Sequence, residues 1–252
     1  MEGRHSLAEA LHPFGIRCIN YDICLGPQGD LADDMVWEQL LGLVQSRTFA
    51  FVFASPPCKS ASIARHNPDR APGPGPLRSL ERPWGLPNLS PPDKELVRLG
   101  NLLTTRVGTI ARAVVDQGGA GFAIEQPAPV NGLPSLLHLA PLDLSDLGSD
   151  DVIFDQCQFG ATSPKPTCIR FLGGTFGELA SSKCNHKPQN WTDKDGRTYF
   201  APHERLAGRK LEDGTWATSA SENYPDDLNT ALAIHIAASL WGHRGDPATH
   251  PS

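Results

Sequence analysis

The sequence predicts an α/β protein with a mostly parallel sheet. Residues 49–55 and 121–127 are short apolar runs typical of buried strands, and a helical apolar stripe lies between them. Two further strand-like runs, 152–160 and 168–174, are separated by only seven residues, which predicts an antiparallel hairpin near one edge. Alternating strands and helices followed by a hairpin indicate a sheet covered by helices.

Local signals predict the N-terminal elements. Residues 6–15 favour a short helix closed by a glycine, and residues 16–23 favour a strand with a polar end. Asp33 and Asp34 can cap a helix that begins at Met35 and continues for about three turns.

The rest of the chain divides into long loops and two helices. Residues 56–92 lose all periodicity and are rich in proline, which predicts a long functional or disordered loop. A helix with an apolar stripe begins at Pro91, and short turns follow at 128–150. We therefore expect a core over 1–174, an irregular insert over 175–216, a helix over 217–242 that returns to the core, and a disordered tail over 243–252.

Composition limits the classes of function. Among the 252 residues, 22 Lys and Arg face 28 Asp and Glu, a net charge of −6, which argues against binding nucleic acid by bulk charge alone. A local basic loop remains compatible with such a function. No apolar run approaches the roughly 20 residues of a membrane span, and the first residues lack the apolar core of a signal peptide. Six scattered cysteines without a CxxC pair predict reduced thiols and an intracellular protein.

Chemically active residues follow the predicted strands. Ligands of such sheets bind beyond the carboxyl ends of the strands. Asp22 ends the first predicted strand, Cys58 follows the second after two prolines, and Glu125 ends the third. One crevice should therefore gather a thiol and two carboxylates.

These motifs resemble those of the cytosine-5 DNA methyltransferases. Pro56-Pro57-Cys58 resembles the family's nucleophile motif, and Glu125-Gln126-Pro127 resembles its acid motif. In the family's order, 19–23 resembles the acidic strand that holds the cofactor ribose, and 26–31 resembles the Gly-Asp motif near the adenine. Residues 159–174 occupy the place of an Arg-rich strand pair, and the last helix resembles the one that returns to the cofactor pocket.

The resemblance implies a Rossmann-like methyltransferase that uses S-adenosylmethionine, with DNA as substrate and RNA as the variant. Cys58 would add to C6 of cytosine, and Glu125 would bond the ring at N3. The implied cofactor-binding residues are Gly3, Asp22, Ile23, Asp30, Leu31, Pro56 and Asn223. The implied substrate-binding residues are Ser60, Ser62, Arg65, Gln126, Pro127, Lys165 and Thr167. Residues 59–92 of the long loop, which also carry Lys59, Arg70, Arg78 and Arg82, would close over the target and meet its phosphates.

The chain departs from the family's pattern in three ways, and its Lys165-Pro166-Thr167 form and its 83–87 loop resemble those of divergent members from phages and mobile elements. The family's first strand with its Phe-x-Gly-x-Gly cofactor loop is missing, Lys165 and Thr167 replace the Arg-rich pair, and the recognition insert is short. The alternatives are therefore a catalytically inactive relic, or a nucleic-acid-binding module that uses the basic loop alone. We expect a monomer without membrane association, in the nucleus if the host is eukaryotic and otherwise in the cytoplasm.

Each candidate also has a purely structural interpretation. Cys58 could be an inert turn cysteine, Asp22 a solvated strand end, and Trp84 a loop anchor rather than a base-stacking platform. The pair Cys184 and His186, with further cysteines and a histidine elsewhere, raises the question of zinc, but the spacing fits no standard site and predicts no metal. We expect Cys157 and Cys168 to pack in the hairpin and Cys18 and Cys24 to be structural, and His203 enters only as a further residue of the zinc question.

Overall fold

The computed structural model of the chain describes residues 6–66, 74–187, 189–192, 198–201, 203, 214 and 223–244. Its main sheet contains β1 (Phe51–Ala54), β2 (Gly121–Pro127), β3 (Asp150–Asp155) and β4 (Pro166–Leu172). The strand order is β1-β2-β4-β3.

The sheet is mixed, so the α/β class is confirmed but the prediction of a mostly parallel sheet is wrong. Only β1 and β2 run parallel, whereas β4 is antiparallel to both β2 and β3. The predicted hairpin is present as the pair β3 and β4, with Val152 opposite Ile169. Its second strand inserts between β2 and β3, which makes two of the three pairings antiparallel.

The predicted strand at 16–23 does not form. Residues 16–22 form no regular secondary structure and pair with no described strand, and the side chains of Ile19 and Ile23 are 59% and 57% exposed. The Asp22 carboxylate instead accepts the Cys24 amide hydrogen at 2.8 Å and begins a short 3-10 turn. Without a neighbouring strand to satisfy its backbone, this local hydrogen bond decides the conformation. Cys18 and Cys24, predicted to be structural, are both exposed.

Strand β1 is less buried than its apolar sequence predicts. All four of its residues are only half-buried, and β2 is its one partner among the described strands. The predicted strand buried on both faces is therefore an edge strand of the described sheet.

Helices cover both faces of the sheet. Helix α2 (Asp34–Gln45) and helix α3 (Pro91–Asp116) pack on one face, and α1 (Leu7–Leu11) and α4 (Asp226–Arg244) pack on the other. The alternation of β2 defines the two sides, since Phe122 and Ile124 belong to the first core and Ala123 to the second.

The predicted helix starts are confirmed at their caps. Ser6 forms a capping box with Glu9, Asp33 accepts two amide hydrogens of α2, and Ser90 accepts the Asp93 amide hydrogen at the start of α3. Gly15 closes the first helical segment in the left-handed conformation, with φ of 67°.

The 56–92 loop contains more structure than its composition predicts. Residues 59–61 and 63–66 form 3-10 turns, and residues 74–90 are held against α3 by a buried arginine. The insert contains a 3-10 helix at Phe176–Ser181 and an antiparallel pair, β5 (Gln189–Thr192) with β6 (Thr198–Ala201). The predicted disordered tail falls largely on residues outside those described.

No helix within the described segments has both the length and the apolar character needed to cross a membrane.

Candidate functional site

The parallel pairing of β1 and β2 brings the residues that follow the two strands together. Ala54 is opposite Ile124, so Ser55 and Glu125 are the next residues on the two strands. The Ser55 hydroxyl donates to Glu125 Oε2 at 2.9 Å. Glu125 is only 7% exposed, so this hydrogen bond fixes a carboxyl group that is largely shielded from water.

Cys58 lies on a turn that Gln126 holds in place. The Gln126 amide donates to the carbonyl oxygen of Pro56 at 2.8 Å, and Pro56 itself is buried. Cys58 is half-buried and begins a 3-10 turn, in which its carbonyl accepts the Ala61 amide hydrogen at 2.9 Å. The predicted rigid turn after β1 is therefore present.

A shallow cleft opens at Cys58. It is small, with a cavity volume of about 10 Å³, and its wall includes Cys58, Gln126 and Pro127. The remaining wall is formed mainly by apolar side chains from residues 128–136. Cys58 therefore borders a partly apolar recess with room for about one water molecule.

Tyr224 joins the two halves of the site and was not predicted from the sequence. Its hydroxyl donates to Ser55 Oγ at 3.0 Å, which extends the chain of hydrogen bonds from Glu125. Burial, then the charge of Glu125, raises the pKa of Tyr224 well above its ordinary value, and Cys58 contributes in the same direction. The phenol is therefore a neutral donor close to both groups. The predicted neighbour Asn223 is exposed.

Lys165 and Thr167 have different environments. The Lys165 ammonium lies over the Tyr224 ring, 5.8 Å from its centroid, so this cation is at the site. Thr167 is fully buried, donates to the Lys165 carbonyl at 2.9 Å, and accepts from the Gln156 amide at 2.9 Å. Lys165 has a φ of 37°, a conformation rare for a residue with a side chain, and the Thr167 hydrogen bond supports it.

Most of the predicted substrate-binding groups in the 56–92 loop instead hold the loop together. Arg65 donates to the carbonyls of Lys59 and Gly75 at 2.9 and 3.0 Å, and Ser60 Oγ accepts from Arg78 at 2.9 Å. Arg78 is 1% exposed, and its burial lowers its pKa to about 10.

The expectation that Arg78 meets phosphates is therefore wrong, because its guanidinium is buried and donates its hydrogen bonds to groups within the protein. Lys59 and Arg82 are exposed, and Ser62 is half-buried. Arg70 lies outside the described residues. Among the loop cations that the structure describes, the exposed ones are Lys59 and Arg82.

The predicted cofactor residues 22–31 form one surface segment. Gly29 packs so closely on Asp22 that a Cβ atom there would lie 2.2 Å from the Asp22 carbonyl oxygen. Arg106 on α3 donates to the Leu31 carbonyl at 2.5 Å, which attaches the segment to the core. The Asp30 carboxylate accepts the Ala32 amide hydrogen at 2.9 Å. Gly3, the remaining predicted cofactor residue, lies outside the described residues.

A second cluster consists of residues whose sequence spacing fits no standard zinc site. Ligand atoms of Cys157, Cys184, His186 and His203 all lie within 4.8 Å of one another. Cys168, in contrast, is buried in the core on β4, as predicted.

Comparison of the chain with protein-family models, with curated proteins and with solved structures finds no match.

Proposed function

We propose that the protein transfers a methyl group to C5 of cytosine in DNA through a covalent adduct on Cys58. The observation that supports this proposal most strongly is the pairing of β1 and β2. Their carboxyl ends lead to a cysteine on a rigid turn and to a shielded glutamate, which is hydrogen-bonded through Ser55 to Tyr224. The charges of Glu125 and Cys58 both act on the Tyr224 phenol.

Cys58 is the nucleophile of the proposed reaction. Its thiolate adds to C6 of the ring, and the displaced electron pair makes C5 nucleophilic. After C5 has been methylated, loss of the C5 proton to a base restores the double bond and expels the thiolate. The reaction requires a base that has left the duplex stack, because the thiolate has to reach C6 of the ring.

Glu125 is the group that stabilises the charged ring. When the thiolate adds, negative charge develops on the pyrimidine, and a carboxyl group bonded at N3 spreads that charge. Ser55 orients the carboxyl, and Tyr224 orients Ser55. Because Glu125 is buried, the group needs little rearrangement at the moment of reaction.

The residues from 22 to 31 fit the ribose and adenine end of the cofactor. Asp22 presents an exposed carboxylate, and the neighbouring side chain of Ile23 is 57% exposed. The carboxylate can accept hydrogen bonds from the ribose hydroxyls, and Ile23 offers an apolar surface beside it. S-adenosylmethionine, when bound, supplies the electrophilic methyl group. Arg106 would keep this segment in place by its hydrogen bonds to Leu31 and Asp33.

DNA contact would involve a small set of exposed side chains. Lys59 and Arg82 are exposed cations of the 56–92 loop, and Trp84 is 44% exposed. So few phosphate contacts imply weak and salt-dependent binding. The module that binds nucleic acid through the loop alone is less well supported, because Arg65 and Arg78 are engaged internally.

The test uses a labelled methyl donor and DNA that contains 5-fluorocytosine, with an RNA of the same sequence in parallel. Fluorine at C5 prevents the final loss of a proton, so the adduct on the enzyme persists. We expect a labelled protein–DNA complex that resists denaturation and that is abolished by Cys58→Ser. Glu125→Gln should lower the rate of trapping on the order of 100-fold or more, as removal of a charge-stabilising group does.

A matched control is Cys18→Ser, which removes an exposed cysteine outside both the Cys58 site and the 22–31 segment and should leave trapping unchanged. Binding of the donor without any adduct on either nucleic acid would refute the proposed reaction. Absence of donor binding would favour the inactive relic. DNA binding that is unaffected by substitution of Cys58 and Glu125, without an adduct, would favour the binding module.

A further inference from the structure

Four metal-ligating side chains from distant parts of the chain meet beside the end of β3. Cys157 lies in the 3-10 turn after β3, Cys184 and His186 follow the 3-10 helix of the insert, and His203 follows β6. Their Sγ and ring nitrogen atoms all lie within 4.8 Å of one another. Each of the four offers a soft or borderline ligand, and no carboxylate belongs to the set.

We propose that Cys157, Cys184, His186 and His203 bind one structural Zn²⁺ ion. A tetrahedral zinc ion with Zn–S of about 2.3 Å and Zn–N of about 2.0–2.1 Å places its ligand atoms about 3.3–3.8 Å apart. Cys184 Sγ lies 3.5 Å from His186 Nδ1 and 3.1 Å from His203 Nε2, so these pairs already have nearly that spacing. The two imidazole rings are perpendicular, with centroids 4.8 Å apart, so they approach a common point from different directions.

The ligands are held by contacts that do not depend on a metal ion. The Asp155 carboxylate accepts the Cys184 amide hydrogen at 2.8 Å, and the Asp155 amide donates to the Ser182 carbonyl at 2.9 Å. The His203 ring also donates a hydrogen bond to the Thr162 backbone. Such a bond from one ring nitrogen leaves Nε2 as the nitrogen that faces the cluster, as in zinc sites generally.

The ligand set defines the class of site. Two thiolates and two neutral imidazoles neutralise Zn²⁺ and fill all four positions, which is the pattern of structural rather than catalytic zinc. Because the ligands come from the turn after β3 and from both ends of the insert segment 184–203, the ion would fasten the insert to the sheet. The inference is independent of the proposed methyl transfer.

The first experiment measures metal content. The full chain, purified under reducing conditions without added chelator, should contain one zinc ion per chain when measured by elemental mass spectrometry. The double variant Cys157→Ser/Cys184→Ser should lose it, whereas Cys18→Ser/Cys24→Ser, which changes two exposed cysteines, should keep it. An equal zinc content in the two double variants, or a disulfide between Cys157 and Cys184 found by peptide mapping, would overturn the proposal.

Cobalt gives a second readout that does not require the variants to fold equally well. Full chain stripped with a chelator and titrated with Co²⁺ should show thiolate-to-cobalt charge transfer and the intense visible bands of a tetrahedral site. His203→Gln should weaken Zn²⁺ binding in competition with cobalt by more than the roughly 10- to 100-fold that outer-sphere changes cause. The exposed control His138→Gln should bind as the original chain does. A weak octahedral cobalt spectrum would refute the site.

Discussion

Substitution of Arg78 tests whether one buried guanidinium organises the 56–92 loop. Its side chain donates to the Pro83 carbonyl at 2.6 Å, to Asn101 Oδ1 at 2.8 Å and to Ser60 Oγ at 2.9 Å. All of these acceptors are neutral, and Arg78 is 1% exposed. Arg78→Ala would therefore leave several shielded acceptors without their donor, next to the turn that carries Cys58.

The expected loss of stability follows from two opposing contributions. Three short hydrogen bonds from a charged donor contribute about 1.5–3 kcal/mol each. Burial of the charge, which lowers the Arg78 pKa to about 10, offsets about 3 kcal/mol of that gain. We expect Arg78→Ala to lower the free energy of unfolding by about 3 kcal/mol. Arg78→Lys should recover little of it, because an ammonium group cannot reach the same acceptors in a planar fork.

Urea denaturation followed by tryptophan fluorescence measures this loss. The matched control is Arg82→Ala, which removes an exposed arginine from the same loop and should change stability by no more than about 0.5 kcal/mol. If both variants unfold at the same urea concentration as the original chain, Arg78 does not hold the loop and the reasoning fails.

Three further predictions concern single side chains. Tyr224→Phe removes one hydrogen bond worth about 0.5–1.5 kcal/mol. For the proposed methyl transfer, kcat should therefore fall roughly 2- to 12-fold, with KM for DNA unchanged. A change in KM alone would contradict a positioning role for Tyr224. Burial lowers the pKa of His235, so the folded protein favours the neutral ring, and the free energy of unfolding should decline as the pH falls below 6.5. In urea titrations, His235→Gln should flatten that decline, whereas the control His138→Gln should not. Burial raises the pKa of Cys168 to about 12, so iodoacetamide at pH 8 should leave Cys168 unmodified in the native protein while the exposed Cys24 reacts. Early labelling of Cys168 would contradict its buried position on β4.

The helices and the approach of Cys58 to Glu125 could be predicted from the sequence because their causes are local or topological. Caps such as Asp33 and Ser90 satisfy the first amide groups of a helix wherever that helix lies. Two apolar strands joined through a helix are expected to pair in parallel, which brings the residues after them to one edge of the sheet.

The failed predictions depend on partners that are distant in the sequence. Residues 16–23 have a strand-like composition, but a strand needs a neighbour for its backbone groups, and Asp22 offers a local alternative. The buried position of Arg78 depends on α3, so composition alone suggested a cation exposed to phosphate.

The proposed zinc ligands could not be recognised because their spacing reflects the path of the insert rather than a short motif. The turn after β3 brings Cys157 to the insert, and the Asp155 carboxylate fixes the loop of Cys184 against that turn. The role of Tyr224 could have been predicted, because it directly follows Asn223, and the resemblance already implied that the segment of Asn223 lies at the cofactor pocket.

Identification of the residue that becomes attached to DNA tests the central claim most directly. DNA containing 5-fluorocytosine is incubated with the protein and the methyl donor, digested, and analysed by peptide mass spectrometry. The proposal predicts one modified peptide, whose added mass of methylated fluorocytosine nucleotide lies on Cys58. Attachment to another cysteine, or no attachment although the donor is bound, would contradict it.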